Sequence, residues 1–204
     1  MDPVVEAILE KVERLDPSIL GRFTLGLCEH FVYAGDVLHG GERFRETLMR
    51  LWEWHLGVIG PDPDDLVANL LKTLPEMDPD AESNLRDETI VGTYVLLEQS
   101  YCTLRGERRM GKVVLSTSCD QMVAYAALLG MDTACAGGLP ISDLVKSYPP
   151  FCQDYFGRLE QMLNSLPKAG LAEIGEWRIE QQRWGEALRD RLVKALEMRE
   201  AEEW

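Results

Sequence analysis

A chain of 204 residues, 46% hydrophobic and 27% charged, can bury a proper core and is too apolar to stay disordered, so a single domain over 1–204 is expected. A formal net charge of −14, from 35 acids against 21 bases, excludes nucleic acid as the main partner, because phosphate binding needs a basic surface. Five cysteines with no CxxC spacing exclude a disulfide framework or zinc knuckle and suit reduced thiols. The N-terminal "MDPVVEAILEKVERLDP" has acids where an export signal needs bases. No apolar run reaches the roughly 18 to 20 residues of a membrane span. The expected location is the cytoplasm.

Asp-Pro occurs four times, at Asp2-Pro3, Asp16-Pro17, Asp62-Pro63 and Asp78-Pro79. Aspartate favours the N-cap, and proline suits the first turn because its missing N–H has no intrahelical partner there. Helices are therefore expected near Pro3–Leu15, Pro17–Ala34, Glu42–Leu56, Pro63–Leu74 and Pro79–Arg105, the last starting as late as Leu85. The turn "RGERRMGK" leads into a helix from Met110 to Leu129. After the loop "GMDTACAGGLP" come a short turn at Ile141–Lys146, a helix opened by "YPP" that runs to Leu166, and a long last helix from Leu171 to Arg199. Residues 199–204 are expected to fray. Strand alternation and hairpin dipeptides are scarce. The fold class expected is all-α, a bundle of about seven or eight helices around a buried central helical hairpin, "TIVGTYVLLEQSYCTL" with "VVLSTSCDQMVAYAALL".

"LGLCEHFVYAG" places Cys28, Glu29 and His30 side by side. At about 100° per residue, Leu20, Phe23, Leu27, Phe31 and Ala34 form one narrow apolar face, and Glu29 points nearly opposite Leu27. Adjacent helical residues diverge, so Cys28 and His30 form no thiol–imidazole pair, and a site needs groups from another helix. The candidate set is Glu29, His30, Glu53 and His55, between the second and third expected helices. The bland alternative is that His55 extends the apolar row of Phe44, Leu48 and Leu51. His39 in "LHGGE" falls in a loop. No phosphate loop, GxSxG elbow, HExxH, EF-hand or Glu-x-x-His motif is present, so no catalytic, cofactor or metal residue is assigned. The hydroxyls and thiol of "LSTSCDQ" suit close packing in a buried helix.

Charge is uneven. Between Asp62 and Glu88 nine acids stand against two bases, a net of −7. Asp62, Asp64, Asp65, Glu76, Asp78, Asp80 and Glu82 are the candidate partner surface, with helix capping and solubility as the plainer account. The basic cluster Arg105, Arg108, Arg109 and Lys112 has charge complementarity at a helix end as its plainer account. In the last helix Ile174, Trp177, Trp184, Leu188, Leu192 and Leu196 line one side, interrupted by Gln181 and Arg191. That side is expected to pack on the bundle, with homodimerisation as its alternative.

"LCE" at Leu27–Glu29, "RLWEW" at Arg50–Trp54, "LKTLPEMD" at Leu71–Asp78, "LRGE" at Leu104–Glu107, Val-x-Ser-x-Ser at Val114–Ser118 and "EWRIEQQRWGEAL" together resemble the YjaG-like family of bacterial proteins, over residues 10–190. His30 stands where the resemblance leads one to look for arginine. The likeness implies a compact helical protein of the bacterial cytoplasm and no particular activity. The function expected is a non-catalytic protein-interaction or scaffold domain, binding a protein partner or itself, without nucleic acid or membrane. The alternatives are an acidic immunity- or antitoxin-like protein with a basic partner, and an enzyme or metal protein using Glu29, His30, Glu53 and His55.

Overall fold

The computed structural model describes residues 3–58, 62–75, 85–129, 150–167 and 170–202. Those residues form nine helices: α1 Pro3–Glu13, α2 Pro17–Glu29, α3 Val32–His39, α4 Arg43–His55, α5 Asp64–Leu71, α6 Leu85–Leu104, α7 Met110–Leu128, α8 Pro150–Asn164 and α9 Leu171–Glu202. The fold is all-α, and no helix among the described residues is long and apolar enough to cross a membrane. The short turn expected at Ile141–Lys146 lies outside the described residues.

One helix more than expected arises because the segment Pro17–Ala34 is two helices. At the break the His30 and Phe31 amides donate to Leu27 and Cys28, three residues back, at 3.2 and 3.0 Å. This tightening ends α2 without glycine or proline and re-aims the chain into α3. His39, expected in a loop, is the last residue of α3, and its Nε2 lies 3.0 Å from the Thr73 carbonyl.

The expected hairpin of α6 and α7 forms, and α2 lies across it while also packing on α4 and α9. Every residue from Phe23 to Val32 is consequently buried, including Thr24, Glu29 and His30. A helix enclosed on all sides has no solvent face, which is why the single narrow stripe read from its apolar spacing is incomplete. Phe23, Phe31, Phe44, Trp52, Tyr125 and Tyr155 fill the centre of the core. Ile174, Trp177, Leu188 and Leu192 of α9 are buried in that same core, so the apolar side of the long helix is spent within the chain.

Asp36 makes the α3–α4 corner. Its carbonyl accepts from the amides of Gly40 and Gly41 at 2.9 and 3.1 Å, closing α3, with Gly40 in the left-handed region at φ 83°. Its buried carboxylate accepts from the Phe44 and Arg45 amides at 2.9 and 3.3 Å and from Arg45 Nε at 2.8 Å. One residue thus ends one helix and caps the next.

Gly185 shows how closely α9 is held. A Cβ there would overlap the Glu29 carbonyl oxygen, which is backbone and cannot turn aside, whereas a Cβ on Gly175 would meet open space. Gly185→Ala should lower stability in urea titrations by about 1–3 kcal/mol. Gly175→Ala, in the same helix, should raise it by about 0.5–1 kcal/mol through helix propensity.

Candidate functional site

Cys28, Glu29 and His30 face three different neighbours. Cys28 Sγ lies 3.2 Å from Ser100 Oγ and 3.5 Å from the Leu96 carbonyl, both on α6. Burial pushes this thiol up to about 12, partly offset by the Ser100 hydrogen bond, so it stays protonated and unreactive.

Glu29 is only 1% exposed. Its Oε1 accepts from the Trp52 indole of α4 at 2.8 Å and from Arg178 Nε of α9 at 2.6 Å. The Arg178 guanidinium also lies over the Trp52 ring, 5.3 Å from its centroid. Gln182 completes the group: with its amide oxygen facing Arg178, it accepts from Nε and Nη2 at 3.2 and 3.3 Å. Burial pushes the Glu29 carboxyl upward, while the Arg178 charge and hydrogen bond and the Trp52 indole pull it back. The expectation that Glu29 points away from the buried side is therefore corrected, because α9 covers that side of α2.

His30 points elsewhere. Its Nε2 donates to Gln181 Oε1 at 3.1 Å, an oxygen that also accepts from Arg158 at 3.2 Å, while Gln181 Nε2 donates to the Trp177 carbonyl at 3.2 Å. With the proton on Nε2, Nδ1 is an acceptor, and it has no hydrogen-bond partner among the described residues. Trp184, Tyr155 and Phe31 enclose the ring at centroid distances of 4.8, 5.8 and 6.3 Å. Burial lowers the imidazole to about 3, aided by the Arg158 charge and opposed by the Gln181 hydrogen bond.

The remaining candidates do not join these two. Glu53 pairs with Arg50 at 2.7 Å near the surface, and His55 lies against Gly21 of α2 with its ring 6.3 Å from that of Trp52. Burial and the Arg22 charge lower His55, with the Ser18 backbone opposing. Among the described residues no group of three His, Cys, Asp or Glu side chains is placed to hold a metal ion. Adjacent positions on α2 diverge, and Trp52 of α4 already occupies the carboxylate.

Of the acidic candidates, Asp62 accepts from the Tyr101 hydroxyl at 2.6 Å, and Arg105 Nη1 lies 3.3 Å from both Asp62 and Asp64. Glu76, Asp78, Asp80 and Glu82 lie outside the described residues. Asp65 stands at the start of α5, beside a cleft of about 320 Å³ whose walls include Trp54 and Leu66. Within the basic cluster Arg108 donates to the Glu13 and Leu15 carbonyls at 2.8 Å each, capping α1, and Lys112 pairs with Glu13.

Arg178 and Gln181, which bond Glu29 and His30, were missed because they come from α9, 149 and 151 positions further along the chain. Their signal was present: Gln181 is one of the two residues that interrupt the apolar seam, and a polar residue buried in a seam needs a partner. Arg178 stands one turn earlier.

Arg178→Met leaves the Glu29 carboxylate buried without its cation and should cost about 3–5 kcal/mol in chemical denaturation. His30 gives a pH test. Its folded pKa of about 3 lies below the ordinary 6.5, so the unfolded chain binds the extra proton between those values. Stability is then full above pH 6.5 and falls as pH drops toward 3, by about 2 kcal/mol at pH 5. The difference in stability between wild type and His30→Gln should shrink by that amount from pH 7.5 to 5.

The chain matches no family model, no curated protein and no solved structure.

Proposed function

We propose that the chain is a cytoplasmic, non-catalytic protein-interaction domain whose partner is basic. The observation that carries this reading is where the charge lies. The buried acids Glu29 and Asp36 are each matched by an arginine, Arg178 at 2.6 Å and Arg45 at 2.8 Å. They cancel, so these two buried acids contribute nothing to the formal excess of −14. Such a field draws in a basic protein, speeds encounter and disfavours acidic competitors. An immunity- or antitoxin-like role is the same chemistry with a basic effector as the partner.

The non-catalytic half rests on Glu29 and His30. Both are sealed from solvent, and their polar contacts tie helices together. Glu29 of "LCE", Trp52 of "RLWEW" and Arg178 of "EWRIEQQRW" meet at one carboxylate oxygen. Motifs that look unrelated along the chain share a physical task.

Calorimetric titration of the full chain with an unstructured lysine- and arginine-rich peptide tests the proposal. Binding is expected at about 50 mM salt and should weaken about tenfold by about 300 mM, with no heat from a glutamate-rich peptide. Absence of binding at the lower salt would sink the reading.

A further inference from the structure

We infer that the cleft between α4 and α5 is the docking site for an arginine side chain carried by that basic partner, an inference that rests on the function proposed above. The cleft holds about 320 Å³ and has Trp54, Val58 and Leu66 among its apolar walls, with Glu53, Asp62 and Asp65 at its acidic margin. Val58 is 56% exposed, an apolar surface open to water. An occupant that satisfies both walls and margin has an apolar stem and a cationic head.

The choice of guanidinium follows from how the rest of the molecule handles the same groups. Arg178 lies over Trp52 at 5.3 Å and bonds Glu29; Arg45 lies over Tyr33 at 5.4 Å and bonds Asp36; Arg105 lies over Tyr101 at 5.7 Å and pairs with Asp62. Each is a planar cation close to an aromatic ring and a carboxylate, Arg105 also donating to the Tyr101 hydroxyl at 2.9 Å. At the cleft the ring and the carboxylates are present without a cation of this chain stacked on Trp54, among the described residues. Glu53 and Asp62 are engaged by Arg50 and Arg105, whereas Asp65 has no ion-pair partner among the described residues. An incoming arginine completes the set, its guanidinium on Trp54 and its charge toward Asp65. Arg50, paired with Glu53, is the one cation among the described residues that line the cleft.

The test titrates the full chain with a hexaarginine peptide and follows the Trp54 indole resonance by NMR. Wild type should bind with a shift of that resonance. Asp65→Asn, an exposed change that leaves the core intact, should weaken binding about threefold, and Trp54→Leu about tenfold. Glu186→Gln, the same charge change on α9, should alter affinity by less than about 1.5-fold. A hexalysine peptide should bind more weakly in wild type and be less sensitive to Trp54→Leu. Unchanged hexaarginine affinity in both cleft variants would overturn this site while leaving the basic-partner reading standing. No binding to wild type would overturn both. Equal behaviour of the two peptides would overturn the guanidinium assignment.

Discussion

The arrangement depends on one buried carboxylate. Glu29 lies in the middle of the molecule, and an ionised carboxylate taken out of water costs several kcal/mol unless its oxygens are matched. The matching groups come from α4 (Trp52) and α9 (Arg178), 23 and 149 positions away along the chain. Any packing that slides α9 along α2 strands both the carboxylate and the guanidinium. Gly185, also on α9, meets the backbone carbonyl of the same Glu29. A polar lock and a steric fit therefore set the same register, and the apolar residues of α9, which would tolerate small slips, need not set it alone.

The same device appears at three depths. Glu29 with Arg178 and Trp52 is central, Asp36 is buried beneath the half-covered Arg45 and Tyr33, and Asp62 with Arg105 and Tyr101 lies at the surface. Its energetic meaning changes with depth. At the surface water screens the pair, and the geometry mainly holds the entry to α5 near α6. At Asp36 the carboxylate also satisfies two helix amides that would otherwise be orphaned. At Glu29 removal of one partner is costly because nothing else is available to solvate the other.

Much of the helix order was legible, because Asp16-Pro17 and the apolar spacing of α4, α6 and α7 are local signals. The break between α2 and α3 was not, since neither glycine nor proline marks it and only a shift in hydrogen bonding makes it. The candidate site was half legible. "LCEH" was recognisable as chemically unusual, but amphipathic reasoning assumes an outward face, and α2 has none. Asp36 offered the same kind of clue, an acid inside the apolar run "YAGDVL", whose meaning depends on amides eight and nine residues later. In each case the local oddity could be seen and its partner could not, because the partner is set by tertiary contact.

The inward use of arginine also shapes the surface. Arg22 donates to the Pro167 carbonyl, Arg86 to that of Leu38, Arg108 to those of Glu13 and Leu15, and Arg158 to Gln181. Arg45 and Arg178 are committed to buried acids. Arginine suits these tasks because its planar fork reaches several acceptors while keeping its charge. Six arginines thus tie elements of the fold together, while Arg50 and Arg105 stand exposed beside Glu53 and Asp62. An arginine can cross-link packed helices without giving up its charge, so one residue type serves both the buried carboxylates Glu29 and Asp36 and the exposed pair at Asp62.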